Sequence, residues 1–492
     1  MHGHITASML YNLIQCPHRL SLDLHEDPAG RDPESKFVEL LWEKGTLFEN
    51  EVMSKLGIPF TDLSTLAPDE KERYTLEAME KKTPLIYSGR IRSGDLLGEP
   101  DLLRFHEQSG YVAGDIKSGA GEEGDEDADN SKPKKHYAVQ LSLYTDALVS
   151  TGYSRSKLPF IWDIHGKEIT YDLDAAQGSR TPQTLWQLYE EKLGQARTIL
   201  TGPGTTMPAM GATCKQCHWK TLCRDQVRKL DDLTLIAELG RAKRDTLAAY
   251  FRTVDDLARM DPKDLPTIKG TGKATLEKFQ VRAQLLTDPR AVPFCRTAFC
   301  FPKPDLELFF DIEVDPMRDI CYLHGFVERR DGDNGTEKFI PFLAGSPTSD
   351  EEERAFAKAW EYIRKSQPCA VYFYSKYERT WWKKLQQRYP SVVSEEDIAS
   401  LFDSELSVDL YFDVVKKHTE WPTNDQSIKT LASYLGFKWR DVSPSGADSI
   451  EWYHRWVESG DPAVRQRILD YNEDDCRAMR VLLDGLGKLD IR

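Results

Sequence analysis

Along YVAGDIKSG (111–119), Asp115 and Lys117 stand two residues apart. On a strand that spacing points both side chains to one face. LLGEPDLLRF (96–105) reads as the partner strand, joined through a turn at Ser109–Gly110, and it offers Asp101. Two carboxylates and a lysine converging there would hold a divalent cation, activate water and steady charge developing on phosphorus. KKHYAVQLSLYTDALVS reads as a helix with Gln140 and Tyr144 on one face, and EKGTLFENEV puts Glu49 on another helix as a further contributor. Alone, an Asp-x-Lys pair is a surface ion pair of little worth; the combination is what raises it above that. A second set lies far downstream. LELFFDIEVDP (306–316) is a strand with Asp311 and Glu313 on one face, and ILDYNEDDCRAMRVLL (468–483) is a helix with Tyr471 and Asp475 one turn apart. CAVYFYSKYERTWWKKL (369–385) reads as a strand entering a helix and carries Tyr374 and Glu378.

A third group is made of cysteines. CKQCHWKTLC supplies Cys214, Cys217 and Cys223, a C-x2-C-x5-C cluster, and Cys16 lies 198 positions earlier in LIQCPHRLSL. Closely spaced thiols in a reducing compartment point to metal, and an S4 set suits zinc or an iron–sulfur cluster; spacing does not choose between them. Cys295, Cys300, Cys321, Cys369 and Cys476 show no such pattern and are assigned to packing.

These residues need a large framework. The 492 residues suggest two to four domains at ~150 residues each, and 40% hydrophobic with 29% charged residues is a globular balance. No apolar run approaches the ~18 residues of a membrane span. MHGHITASMLYNLIQC carries no Lys or Arg ahead of its apolar stretch, which argues against a secretory signal, and nine cysteines argue against a disulfide framework. A cytoplasmic location is expected. The net charge of −15 hides an asymmetry, because residues 210–300 hold 17 Lys and Arg against 11 Asp and Glu. Binding to nucleic acid depends on such local patches.

Three blocks follow: residues 1–228, mixed helix and strand; 229–290, helical and basic; and 300–492, a second αβ pattern. AVPFCRTAFCFPKP (291–304) reads as a linker, and GAGEEGDEDADNSKPKK (119–135) as a solvated acidic loop. GTGKAT (270–275) lacks the glycine and hydroxyl positions of a Walker loop, so the chain does not drive unwinding itself and a separate helicase is a compatible partner.

The first block resembles the RecB-type branch of the PD-(D/E)XK nucleases, on GTLFE with Glu49, EPD with Asp101, DIK with Asp115 and Lys117, and QLSLY with Gln140 and Tyr144. Glu49 stands where many relatives have His. The resemblance implies Mg²⁺ or Mn²⁺ held by Glu49, Asp101 and Asp115, with Lys117 orienting water and stabilising charge. The remote cysteine plus cluster is similar to the iron–sulfur subset of that branch, which implies a [4Fe–4S] cluster on Cys16, Cys214, Cys217 and Cys223 that fastens the two ends of the domain. The middle block resembles helix-hairpin-helix modules, with Lys269, Gly270, Gly272 and Lys273, and Lys278 beyond, as contacts to a DNA backbone. The last block resembles the DEDDy exonucleases of the DnaQ-like, RNase H-fold group, closest in style to its YprB-like members. That implies metals held by Asp311, Glu313, Glu378 and Asp475, with Tyr471 placing water. Tyr374 stands where Asn is usual and Glu378 where Asp is usual; a residue one methylene longer shifts a ligand by about an ångström. Asp409 is expected to order a helix start and Asp474 to face away from the acids.

The expected architecture is therefore a multidomain α/β protein: a restriction-endonuclease-like PD-(D/E)XK core, a small all-α connector and an RNase H-like C-terminal domain. The expected reaction is metal-dependent hydrolysis of DNA phosphodiester bonds at single-stranded ends. The rivals are a DNA-binding adaptor whose nuclease folds serve as clamps or keep one working site, and a C-terminal site acting on RNA.

Overall fold

The computed structural model describes residues 3–123, 131–178, 182–442 and 444–492. Of the acidic stretch 119–135 expected to be a solvated loop, residues 124–130 lie outside the described residues, and Glu122–Glu123 pairs with Lys132–Pro133 rather than remaining loop. The chain divides into two compact units, Met1–Gln226 and Val227–Arg492.

Among the described residues, the first unit is built on a six-stranded mixed sheet. Its order is Glu168–Thr170, Phe160–Trp162, Gly110–Ile116, Leu102–His106, Leu85–Tyr87, Thr61–Asp62. Gly110–Ile116 is central, antiparallel to Leu102–His106 and parallel to Phe160–Trp162. Such a strand is covered on both faces, and six of its seven residues are buried. The upstream run does not continue as one strand. Leu96–Gly98 joins a small sheet with Ile5–Thr6 and Ile91–Ser93, and Glu99–Pro100 separates it from Leu102–His106, because proline cannot donate to a ladder. Helix Lys135–Ser150 packs across, burying Leu141, Leu143, Tyr144 and Ala147 in one core with Ile5, Leu10 and Leu13.

The second unit begins with short helices, including Arg241–Leu247, Val254–Arg259 and Lys273–Thr287. Arg282, 1% exposed, joins the last of these to the rest of the unit. Its Nε donates to Glu420 Oε2 at 2.6 Å and its Nη1 to Glu238 Oε2 at 2.8 Å. The 291–304 segment is more than a linker: Phe294–Cys295 pairs with Thr419–Glu420, and Cys295 donates its N–H to Asp490. Beyond it lies a sheet of five strands among the described residues, ordered Asp333–Leu343, Ile320–Arg330, Leu306–Asp315, Ala370–Phe373, Ser407–Asp409. The first three are antiparallel neighbours and the last two run parallel to Leu306–Asp315, the central strand. Helices cover both faces, one core forming around Phe310, Phe326 and Trp382 and another around Phe309, Tyr372 and Leu482. No described helix is long and apolar enough to cross a membrane.

Candidate active sites

In the C-terminal unit, strand alternation and one long helix bring three acids together. Asp311 and Glu313 lie on strand Leu306–Asp315, opposite Gly325 and Leu323, just before a register shift at Glu313/Val314. Helix Pro462–Leu486 starts from an Asp461 cap with proline at its first turn and carries Asp475 onto the strand. Donor oxygens of Asp311, Glu313 and Asp475 all lie within 4.8 Å of one another, and this is the one such ligand group among the described residues. Burial raises the carboxyl of Asp311 well above the usual range, and Asp475, Glu313 and Glu378 add to it. Glu313 is pushed up to about 8, by burial and then by Asp475; burial also raises Asp475. Carboxylates crowded out of water repel one another, and a cation relieves that repulsion.

Neighbours hold the acids in place. Asn472 Nδ2 donates to Asp311 Oδ2 at 2.7 Å, Trp439 Nε1 to Asp475 Oδ1 at 2.7 Å, and the Tyr322 hydroxyl to Glu313 Oε2 at 3.5 Å. Lys429 Nζ donates to the Tyr471 hydroxyl at 2.8 Å and lies 4.7 Å from the centre of its ring. A Cβ added at Gly325 would sit 1.6 Å from Asn472 Oδ1, so only glycine lets that helix approach Asp311. Sequence reasoning missed Asn472, Trp439 and Lys429. Asn472 had a signal, since it stands three residues before Asp475 on the same helix face; Trp439 and Lys429 come from separate segments and had none.

Glu378 sits in the first turn of helix Tyr377–Arg388, 3% exposed, and its Oε2 has no hydrogen-bond partner among the described residues. Its carboxyl is held well above its usual range by burial and then by Asp409 and Asp475, but it stays outside the three-acid group. Tyr374 turns elsewhere, its hydroxyl donating to the Gln426 carbonyl. Asp409 caps the Leu410–Val415 turn, and Asp474 is engaged by Arg440 at 2.9 Å.

The N-terminal residues gather differently. Lys117 Nζ lies 2.7 Å from Asp115 Oδ2. Asp101 Oδ2 accepts the Ile116 N–H at 2.7 Å, and the Asp101 N–H donates to Asp115 Oδ1 at 3.4 Å. Burial raises the Asp101 carboxyl well above its usual range, with Asp115 adding and Lys117 opposing. For Lys117, burial works against the charge, but Asp115 and Asp101 outweigh it and raise the ammonium above its ordinary value. Glu49, on helix Lys36–Lys55, accepts the Tyr87 hydroxyl at 2.8 Å. Tyr144 is buried, and a Cβ at Gly98 would come within 2.7 Å of its ring; Gln140, one turn earlier, is half-buried. Glu49, Asp101 and Asp115 form no ligand group of the compactness seen in the C-terminal unit.

Cys16, Cys214, Cys217 and Cys223 line one pocket together with Arg19, Ala209 and Trp219. Cys217 Sγ accepts the Trp219 N–H at 3.5 Å, Cys214 Sγ donates to the Ala209 carbonyl at 3.7 Å, and burial pushes the Cys223 thiol up to about 11. Asp23 Oδ1 joins the same two chain segments by accepting from His218 Nε2 at 2.6 Å and Trp219 Nε1 at 2.9 Å. Of the other cysteines, Cys300 is exposed rather than packed. In the basic segment, Gly270 takes a left-handed φ of 85° between bridged Ile268 and Thr271, and Gly272 precedes helix Lys273–Thr287. Lys269, Gly270, Gly272 and Lys273 are exposed. Lys278 instead bonds Glu238 and the Lys416 carbonyl, so it is engaged within the protein.

Residues 11–224 match the family model of the PD-(D/E)XK nuclease superfamily, and residues 308–486 match the RNase H 2 family of the RNase H superfamily. Comparison with curated proteins gave no match, and neither did comparison with solved structures. The chain therefore combines two nuclease-type domains in an α/β multidomain fold, PD-(D/E)XK toward the N-terminus and RNase H-like toward the C-terminus.

Proposed function

We propose that the chain is a metal-dependent nuclease that hydrolyses DNA phosphodiester bonds at single-stranded ends, using two centres. The observation that carries this reading is the meeting of half-buried Asp311 with buried Glu313 and Asp475, whose raised carboxyls favour a cation. Mg²⁺ or Mn²⁺ bound there would supply Lewis acidity and a more acidic water. The three acids would hold the metal, Glu378 would support them from the adjoining turn, and Tyr471 would orient water with its hydroxyl fixed by Lys429. In the N-terminal centre, Glu49, Asp101 and Asp115 would hold metal, Lys117 would stabilise charge at the phosphate, and Gln140 and Tyr144 would complete the wall.

The four-cysteine pocket would hold a [4Fe–4S] cluster, as the resemblance to the RecB-type iron–sulfur subset implies. The donor set is all thiol, and Cys217 already accepts a backbone N–H, the kind of hydrogen bond that tunes such centres. Bound, the cluster would close a loop of ~200 residues and remove unfolded-state entropy. The exposed turn at Lys269, Gly270, Gly272 and Lys273 would grip the DNA backbone as a helix-hairpin-helix, through N–H groups and sequence-independent charge.

The test uses anaerobically purified protein with matched labelled DNA and RNA strands, with Mg²⁺, Mn²⁺ or a chelator. Metal-dependent shortening of the DNA strand supports the reading. Preference for RNA assigns the C-terminal site to RNA, and an inert protein overturns hydrolysis in favour of an adaptor. A brown preparation with stoichiometric labile sulfide supports the cluster; a colourless, zinc-loaded one rejects it.

A further inference from the structure

A second helix reaches Glu313. Helix Gly446–Ser459 carries Ser449 and Tyr453 four residues apart on one face, and both meet Tyr322. Ser449 Oγ lies 2.8 Å from the Tyr322 hydroxyl, and the Tyr453 ring stacks on the Tyr322 ring at 4.1 Å and 9°. The Tyr322 hydroxyl donates to Glu313 Oε2 at 3.5 Å, and Ser449 hydrogen-bonds that carboxylate as well. Tyr322, Ser449 and Tyr453 are wholly buried. The next residue of the helix, His454, has its Nε2 2.7 Å from Asp315 Oδ2, which ties the helix to the strand that carries Glu313.

Two features set this arrangement apart from ordinary packing. The strand pairing passes over Tyr322, since Glu313 stands opposite Leu323 and Val314 opposite Cys321. An extra residue of this kind is a β-bulge, a device that re-aims a side chain and recurs beside active sites. Regular alternation would send Tyr322 and Leu323 to opposite faces, yet both pack in one core. Nor does filling that space call for hydroxyls, because apolar groups of the same shape in place of both partners are nearly neutral for stability. Two hydroxyls carry two hydrogens, so one spent between them leaves the other for the carboxylate.

We propose that Tyr322 and Ser449 form a hydroxyl pair that fixes the orientation of the Glu313 carboxylate for a divalent cation at the Asp311–Glu313–Asp475 site, with the His454–Asp315 bond seating the helix that brings Ser449. The inference rests on reading that site as a metal-dependent nuclease centre. Both are positioning residues, acting through Glu313 rather than on the substrate. Mg²⁺ demands near-ideal octahedral geometry, whereas Ca²⁺ accepts a flexible one. A Glu313 carboxylate free to swing should therefore harm Mg²⁺ binding more than Ca²⁺ binding.

Mn²⁺ binding would be followed by EPR in an Asp115→Asn background, which removes a carboxylate from the N-terminal centre, with Mg²⁺ and Ca²⁺ as competitors. The double variant Tyr322→Phe/Ser449→Ala keeps the stacked ring and removes both hydroxyls. It is expected to weaken Mg²⁺ binding roughly 10- to 100-fold, the usual cost of losing a ligand's hydrogen-bonded support, and to leave Ca²⁺ binding little changed. Each single variant should cost less, since the remaining hydroxyl keeps its hydrogen for Glu313. The proposal is overturned if the double variant binds Mg²⁺ normally, or if Mg²⁺ and Ca²⁺ weaken by the same factor, the mark of general damage. Asp311→Ala in the same background tests the site itself. If Mn²⁺ binding survives that change, or the parent binds no Mn²⁺, the reading of the three acids as a metal centre fails and the proposal with it. If Asp311→Ala abolishes binding while the double variant behaves as the parent, the proposal alone fails. A protein that shows the selective Mg²⁺ loss but cuts no strand keeps the positioning pair and rejects the nuclease reading.

Discussion

The two acidic sites share an inventory, strand carboxylates facing a helix that carries a tyrosine, but they balance charge in opposite ways. In the N-terminal unit Lys117 lies 2.7 Å from Asp115, so a covalently attached cation already sits among the acids. In the C-terminal unit the nearest ammonium, Lys429, is spent on the Tyr471 hydroxyl and the Pro444 carbonyl, and the three acids meet each other instead. The two sites therefore differ in the charge left for an added cation. Lys117 offsets the N-terminal acids at contact distance, whereas Lys429 acts on the C-terminal acids without pairing with them, and burial and mutual repulsion keep their carboxyls raised. Each site also depends on a glycine that lets the helix come close, Gly98 for Tyr144 and Gly325 for Asn472.

The strongest way to break the comparison is to remove a ligand from the tight group. Asp311→Ala or Asp475→Ala is expected to lower the C-terminal activity by roughly 10³-fold, the scale of several kcal/mol of lost metal-centred stabilisation. Product ladders from end-labelled strands would read this, with the other ladder unaffected. Next, Lys117→Ala should lower the N-terminal activity by about 10²-fold or more, as loss of a preorganised charge does. An N-terminal ladder that survives would mean the lysine only balances charge.

The pH dependence sharpens the contrast. Glu313 titrates near 8 in the folded protein, above an ordinary Glu. Its protonated form is favoured by folding, so this contribution to stability is complete below about pH 4.5 and is lost as pH rises through about 8. Metal-free protein should therefore show a falling Tm over that interval, and Asp475→Ala, which removes the charge that adds to burial in raising Glu313, should flatten the fall. Mn²⁺ displaces bound protons, so its affinity should rise at least tenfold per pH unit up to about pH 8. Calorimetric titration at pH 6, 7, 8 and 9 checks the slope. The smallest effect belongs to the glycines: Gly325→Ala and Gly98→Ala should each destabilise the chain by ~1–3 kcal/mol, read as a lowered urea midpoint. The larger loss is expected at Gly325, whose added Cβ meets Asn472 at 1.6 Å against 2.7 Å for Gly98 and Tyr144.

What could be read from the sequence was local. Period-two alternation is enough to put Asp311 with Glu313, and Asp115 with Lys117, because both pairs lie within single strands. Helix spacing similarly places Tyr471 with Asp475. Side chains delivered from separate segments carried no such mark: Trp439 reaches Asp475 across 36 residues, and Arg282 reaches Glu420 across 138. The split of 96–105 into two sheets was legible only in part, through Pro100, and the strained Ser375 was not legible, since nothing in SKYE announces a left-handed serine. Gly325 was invisible for the same reason, because its need arises from a helix nearly 150 positions away.

The most direct test of two working centres compares wild type with Lys117→Ala, Asp311→Ala and the double variant. Each would act on single strands labelled at the 5′ or 3′ end, with the protein prepared anaerobically in Mg²⁺ or Mn²⁺. Each single variant is expected to lose one distinct product ladder, and the double variant to lose both. If Asp311→Ala leaves every ladder intact, the tight acid group is a scaffold and the central claim fails.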